Sequence, residues 1–81
     1  MLKMRVIKIN IKSAVSHRLQ ELCKERHITL HWLAVHSGVT PSTVYSIING
    51  KGEDVSIITV KRLCDGLNIT LKEFFNNLDF Q

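Results

Sequence analysis

Four helix starts in residues 28–74 carry the same local chemistry, and this repetition constrains the fold more than any other feature of the chain. Each has a serine or threonine that can accept a hydrogen bond from an unpaired N–H of the first helical turn. Each also has an apolar residue just before the cap and another four residues after it, which is a hydrophobic staple. The caps and their staples are Thr29 with Ile28 and Leu33, Thr40 with Val39 and Val44, Ser56 with Val55 and Val60, and Thr70 with Ile69 and Phe74. The pattern fixes the register of four helices.

Further signals mark where the helices begin and end. Pro41 stands at the first helical position, where its missing N–H costs nothing, and Glu73 completes a capping box with Thr70. The expected C-terminal caps are Gly38, Gly50 and either Gly66 or Asn68. An earlier amphipathic stretch begins at Ser13, so the chain is expected to form five helices. We place them near 13–26, 29–37, 41–48, 56–66 and 71–77.

The first residues have a different period. In residues 5–12 the apolar Ile7, Ile9 and Ile11 alternate with polar residues, as in a half-buried strand. A single strand is not stable alone, so this one either pairs with its copy in a dimer or forms a flexible basic arm. Both interpretations stay open. We expect a basic N-terminal extension over 1–12 and one helical domain over 13–78.

The positive charge is concentrated near the N-terminus. The net charge is +4, and residues 1–26 hold seven of the eleven lysines and arginines against two glutamates. This distribution favours a polyanionic partner. Charged residues interrupt the apolar ones near the N-terminus, and no apolar run approaches the roughly 20 residues that span a bilayer. We therefore expect a cytoplasmic protein with no membrane partner.

The residue patterns of the chain do not favour catalysis or metal binding. Cys23 and Cys64 fall at apolar helical positions, where free thiols behave as small hydrophobic residues. Cys23 and His27 stand one helical turn apart, but the sequence supplies no second pair for a zinc site. The run 49–52 resembles a phosphate loop only superficially, because it follows a helix and lacks the full motif. We predict no enzyme activity, no metal and no cofactor.

Residues 29–50, TLHWLAVHSGVTPSTVYSIING, predict two short helices joined by a tight turn. Ala34 is small enough to let the helices cross closely, and Gly38 can adopt the left-handed conformation of the turn. Val44 and Ile47 are expected to face the core. The segment therefore has the size and residue pattern of a helix-turn-helix unit.

With RLQELCKERHIT before it and VSIITVKRLCDGLNITLKEFF after it, this segment resembles the Cro/cI-repressor-like helix-turn-helix family, also called the xenobiotic-response-element family. The resemblance covers about residues 18–75. It implies an all-α, five-helix, lambda-repressor-like DNA-binding domain whose third helix enters the major groove. The implied function is sequence-specific, repressor-like regulation of transcription by a homodimer on double-stranded DNA.

The resemblance also implies which residues contact DNA. Those near the base edges would be Pro41, Ser42, Tyr45 and Ser46. Those near the DNA backbone would be Thr29, Leu30, Thr40, Thr43, Asn49 and Lys51. The chemistry agrees, because the start of the third helix is rich in amides and hydroxyls and carries the positive end of the helix dipole.

Three departures from the family pattern matter. Many members have Gln where this chain has Leu30, so only backbone amides are left there for a phosphate. Between Pro41 and Ser46 there is no Arg, Gln or Asn, so specificity must come from hydroxyls, apolar contacts with thymine methyls, DNA shape or half-site spacing. Cys23 and Ile48 stand where some members have a buried Arg–Glu pair, and we predict direct contact between them.

Two rival functions remain. One is an antitoxin-like protein-interaction module of a toxin–antitoxin pair, which would bind a protein through the N-terminal strand or a surface near Trp32. That residue falls where the family usually has a polar one, and it either packs on a neighbour or marks such a surface. The other is DNA coating without sequence preference. Steep salt dependence would indicate DNA binding, and co-purification would reveal a protein partner.

Overall fold

The structure is a computed structural model that describes residues 11–50, 55–77 and 80. Its helices are α1 (Ile11–Glu25), α2 (Leu30–Ser37), α3 (Pro41–Asn49), α4 (Ile57–Leu67) and α5 (Leu71–Phe75). Across these residues no strand is present. The predicted all-α, five-helix class is confirmed, and every helix boundary lies within two residues of its predicted position.

All four predicted caps are present. Thr29, Thr40, Ser56 and Thr70 have extended backbones, and each side chain accepts a hydrogen bond from the N–H three residues on. The capping box of α5 is complete, because Glu73 N–H donates to Thr70 Oγ1 at 3.0 Å and Thr70 N–H donates to Glu73 Oε1 at 2.9 Å. Local sequence therefore sets the start of four helices.

The prediction of a strand was wrong for Ile11 and Lys12. Ile11 and Lys12, which were assigned to the strand and the N-terminal extension, are the first two residues of α1. Ile11 also fits a helical face, because it stands three and four residues before the buried Ala14 and Val15. The rest of the proposed strand and extension, residues 1–10, lies outside the described residues.

Helices α2, α3 and α4 end at left-handed residues. Gly38 and Gly50 have φ of 70° and 67°, and Asn68, with φ of 59°, is the cap of α4. Gly66, the other expected cap, lies inside α4, and a close helix contact explains why this position is a glycine. A Cβ atom there would stand 2.0 Å from Ser37 Oγ, so glycine allows α2 and α4 to approach closely.

One core joins all five helices. The side chains that are most completely buried are Phe74, Leu19, Leu33, Leu63, Leu67, Val44 and Cys64. Helix α2 packs on α3 and α4, while α1 packs on α2 and α3. Burial raises the pKa of the Cys23 and Cys64 thiols, which disfavours the reactive thiolate form. Ile48 packs against the core that contains Cys23, and the direct contact between the two stays a prediction.

Two arginines close helix ends that are distant in sequence. Arg18 of α1 donates to Phe74 O and to Glu73 O, both at 2.8 Å, and so caps α5. Arg26 donates to Leu67 O at the end of α4. Arg18 thereby connects the first helix to the last.

Candidate nucleic-acid interface

Helices α2 and α3 both begin with an oriented set of backbone amides. Thr29 Oγ1 accepts from Trp32 N–H at 2.9 Å, and Thr40 Oγ1 accepts from Thr43 N–H at 3.4 Å. The other amides of a first turn have no partner within the helix, and the dipole makes this end positive. Both helix starts can therefore receive an anionic group such as a phosphate.

The turn between the two helices is held by backbone hydrogen bonds. Gly38 N–H donates to Val35 O at 3.3 Å, and Val39 N–H donates to Ala34 O at 3.0 Å. Nothing lies within 4 Å of a Cβ built on Gly38, so its positive φ is the reason for glycine. Val39 is only 8% exposed and anchors the turn in the core. These contacts fix α3 relative to α2.

Helix α3 has one face in the core and one in solvent. Val44 and Ile47 are buried, as predicted. The exposed residues are Ser42, Thr43, Tyr45, Ser46 and Asn49, with Pro41 half-buried. The Tyr45 side chain is 44% exposed even though it is a large aromatic residue. Every predicted base-proximal residue is thus on or beside the exposed face.

The hydroxyl groups at the start of α3 differ in their hydrogen bonding. Thr40 Oγ1 lies 2.8 Å from Thr43 Oγ1 and 3.4 Å from Ser42 Oγ. The Thr40 and Thr43 hydroxyls are therefore engaged with each other and with the cap. Ser42 is bound at the limit of hydrogen-bonding distance, which leaves its hydroxyl able to turn toward a ligand.

A polar groove of about 280 Å³ lies beside the other end of α3. Lys12, His17 and Gln20 of α1 line it together with Asn49 and Gly50. Gln20 Nε2 donates to Ser16 Oγ at 3.0 Å, and Ser16 Oγ donates to Ile48 O at 3.4 Å, so α1 supports the end of α3. Sequence reasoning missed these α1 residues because Lys12 was assigned to the strand. His17 and Gln20 stand three residues apart and Lys12 stands eight residues before Gln20, which would have indicated a shared helical face.

The residues predicted to contact the DNA backbone lie at three places on α2 and α3. Thr29 is exposed and Leu30 is half-buried at the start of α2, while Thr40 and Thr43 are exposed at the start of α3. Asn49 is exposed at the opposite end of α3, beside the polar groove. Lys51 lies outside the described residues. The predicted set therefore spans both ends of α3 and the start of α2.

The exposed face of α2 carries aromatic and apolar side chains. The Trp32 and His36 rings are stacked, with centroids 3.6 Å apart and an interplanar angle of 16°. His36 Nδ1 lies 3.0 Å from Trp32 O, which also holds the ring in place. Trp32 is still 42% exposed and Val35 is 58% exposed. Trp32 therefore packs on its neighbour in the helix and also remains accessible.

Metal-binding clusters and membrane-spanning helices are absent from the part of the chain that the structure describes. Among 11–50, 55–77 and 80, no three His, Cys, Asp or Glu side chains gather in a way that could hold a metal ion. In the same ranges, none of the helices has both the length and the apolar character that crossing a membrane requires.

Most of the chain matches a known protein family. Residues 18–77 match the Cro/C1-type helix-turn-helix DNA-binding domain, a DNA-binding regulator family and not an enzyme family. A relative from Bacillus subtilis (strain 168), the uncharacterized HTH-type transcriptional regulator RghRB, is 35% identical over 57 residues. That match covers 70% of this chain and 41% of the relative, so the chain spans about two fifths of that protein's length.

Solved structures have the same fold. Prophage Lp1 protein 11 superposes with a TM-score of 0.81 at 26% identity, over 89% of this chain and 95% of that one. The restriction-modification controller protein C.AhdI from Aeromonas hydrophila superposes with a TM-score of 0.72 at 28% identity, over 80% of this chain and 97% of that one. The resemblance inferred from the sequence is confirmed.

Proposed function

Because this chain belongs to the Cro/C1-type helix-turn-helix DNA-binding domain family, we propose that it regulates transcription by binding specific sites in double-stranded DNA through α3. The observation that carries this proposal is the exposed face of α3. Its exposed hydroxyl and aromatic side chains lie on a helix whose other face is locked in the core. A helix held in this way can enter the major groove as a rigid body, with its N-terminus first.

Within this proposal, Pro41, Ser42, Tyr45 and Ser46 contact base edges. The contacts with the DNA backbone come from Thr29, Leu30, Thr40 and Thr43 at the starts of α2 and α3, from Asn49 at the end of α3, and from Lys51, which follows Gly50 in the sequence. Leu30 takes part through its backbone N–H, because its side chain packs against the core. Lys12, which lines the groove beside Asn49, adds positive charge near a neighbouring phosphate.

The proposal includes a homodimer that represses transcription. One α3 is nine residues long and reaches only a few base pairs, so two copies on adjacent half-sites increase both affinity and specificity. A regulator bound over a promoter blocks transcription by occupancy alone, which makes repression the simplest outcome. The basic residues in 1–12 would bind further phosphates, and neutralising one of these residues should reduce the salt slope by about 0.9.

A selection experiment tests the proposal. The wild-type chain should recover one recurrent, palindromic motif from a randomised pool of duplex DNA. The variant Ser42→Glu with Ser46→Glu should lose that motif, because it places two carboxylates against the DNA. Lys72→Glu is the matched control, since it also lowers the net charge by two. The Lys72 side chain is exposed on α5, away from α3 in the sequence.

The outcomes separate the possible functions. If both the wild type and Lys72→Glu enrich the motif while the double variant does not, α3 is the reading helix. The same motif from the double variant would contradict the role of α3. Enrichment by none of the proteins would contradict sequence-specific regulation and would leave DNA coating without sequence preference and the antitoxin-like alternative, for which the exposed Trp32 and Val35 are the candidate partner surface.

A further inference from the structure

The reading face of α3 has unusual chemistry for a helix that selects bases. None of its nine residues is charged, and its only amide side chain, Asn49, is at the C-terminal end beside the polar groove. Arg, Lys, Asn and Gln make the bidentate hydrogen bonds that distinguish guanine and adenine in the major groove. Residues 41–48 offer no such side chain.

The remaining hydroxyls discriminate weakly. The hydroxyls of Thr40 and Thr43 are 2.8 Å apart and engaged in the cap. Ser42 and Ser46 stay exposed, four residues apart on the same side of the helix. A serine hydroxyl can donate or accept, and it therefore pairs with several different bases.

An apolar strip runs beside these two serines. Pro41 and Tyr45 are also four residues apart, so the half-buried proline ring and the 44% exposed tyrosine ring share one side of α3. Val44 and Ile47 fix the backbone on either side of Tyr45 in the core. In the major groove, the apolar feature that a base pair presents is the C5-methyl group of thymine.

From this match we infer that the chain recognises thymine methyl groups, with Tyr45 as the main specificity-determining residue and Pro41 as the second apolar contact. The inference rests on the proposed function, because it requires α3 to lie in the major groove. Ser42 and Ser46 then orient the helix, and the pattern of methyl groups carries the sequence information. The preferred half-site contains thymine at the positions that Tyr45 and Pro41 reach.

The test removes single methyl groups from the DNA. Each thymine of the selected duplex is replaced in turn by deoxyuridine, which keeps the same base pairing and lacks only the methyl. Wild-type protein should lose about fourfold in affinity at one or two positions, which corresponds to one buried methylene of about 0.8 kcal/mol. Tyr45→Phe keeps the ring and should show the same losses.

A second variant assigns the contact to its residue. Tyr45→Ala should bind the intact duplex more weakly and should no longer distinguish thymine from deoxyuridine at the position that Tyr45 reads. If it keeps the full fourfold discrimination everywhere, Tyr45 is not the reading residue. Circular dichroism shows whether each variant is folded. The deoxyuridine series with the wild-type protein tests the inference even if a variant fails to fold.

The results separate this inference from the proposed function. Specific binding that is insensitive to deoxyuridine at every thymine, or a selected half-site without thymine, would overturn the inference and leave the proposed function standing. Absence of any preferred sequence would overturn both.

Discussion

The α2–α3 unit and the α1–α5 side of the molecule close their helices in different ways. In α2–α3, each helix begins at a threonine and ends at a left-handed glycine, so the chemistry is local. On the other side, Arg18 binds two carbonyls at the end of α5 that are 55 and 56 residues away in the sequence. Arg26 binds a carbonyl at the end of α4 that is 41 residues away. All four helices from α2 to α5 begin at local caps, but α4 and α5 are in addition closed at their C-terminal ends by contacts with distant arginines.

This difference changes how the basic charge should be interpreted. The excess of lysine and arginine in residues 1–26 suggested a partner of negative charge. Two of those cations, Arg18 and Arg26, are instead bound to backbone carbonyls at helix ends. Meanwhile the proposed reading helix has no charge at all. Net charge therefore indicates a class of partner without indicating the surface that meets it.

The largest effect is expected where the two regions meet, at Ile48. This residue belongs to α3, packs against the core, and its carbonyl lies 3.4 Å from Ser16 Oγ of α1. Ile48→Glu should lower the free energy of unfolding in urea by about 3 kcal/mol, because it places an unpaired carboxylate against apolar side chains. Ser46→Glu, on the exposed face, should change it by less than about 0.5 kcal/mol. An unchanged melting temperature for Ile48→Glu would contradict this packing and the predicted contact with Cys23.

Arg18 tests whether the cations of α1 serve structure or binding. Arg18→Ala should lower the free energy of unfolding by about 2 kcal/mol, since it removes hydrogen bonds from a charged donor to the part-buried carbonyl of Phe74 and to the exposed carbonyl of Glu73. Arg62→Ala, which removes an exposed arginine of α4, should cost less than about 0.5 kcal/mol. DNA affinity of folded Arg18→Ala should stay within about twofold. Equal stability of the two variants, or selective loss of DNA binding, would assign Arg18 to the interface.

Substitution of Gly66 tests how closely α2 packs against α4. Alanine normally stabilises a helix by about 1 kcal/mol relative to glycine. Here its Cβ would meet Ser37 Oγ at 2.0 Å, and overpacking of this kind costs about 1–3 kcal/mol. Thermal unfolding should therefore show that Gly66→Ala is destabilising and that adding Ser37→Ala recovers part of the loss. A stabilised single variant would mean that α2 and α4 are farther apart.

The smallest effect concerns the capping box of α5 and its dependence on pH. Hydrogen bonds from the Thr70 backbone and side chain lower the pKa of Glu73. A lowered folded-state pKa adds stability above the unfolded value, and this stability is lost as the pH falls through the folded value. The difference in melting temperature between wild type and Glu73→Gln should therefore be present at neutral pH and vanish in strong acid. In a Thr70→Ala background the difference should be small at every pH.

Local chemistry explains what the sequence could predict. Thr29, Thr40, Ser56 and Thr70 act through residues no more than five positions away, so the four helix starts could be recognised from the chain alone. The inward positions of Val44 and Ile47 followed from helical periodicity, and the exposed face of α3 followed from them.

Long-range geometry explains what the sequence could not predict. Alternation of apolar residues up to Ile11 suggested a strand, but Ile11 and Lys12 belong to α1. The partners of Arg18 and the approach of Gly66 to Ser37 depend on how distant helices meet, which no local pattern records. The polar groove of Lys12, His17 and Asn49 was missed because Lys12 was assigned to the strand and because its position beside Asn49 depends on how α1 meets α3.

The central claim is that the exposed face of α3 meets DNA while the arginine-capped side does not. Backbone amide chemical shifts, measured as the selected duplex is added to labelled protein, test it most directly. We expect the largest changes at Ser42, Tyr45 and Ser46, with smaller ones at the start of α2 and little change across Ile57–Leu67 and Leu71–Phe75. Changes concentrated in α4 and α5, with α3 unaffected, would contradict the claim.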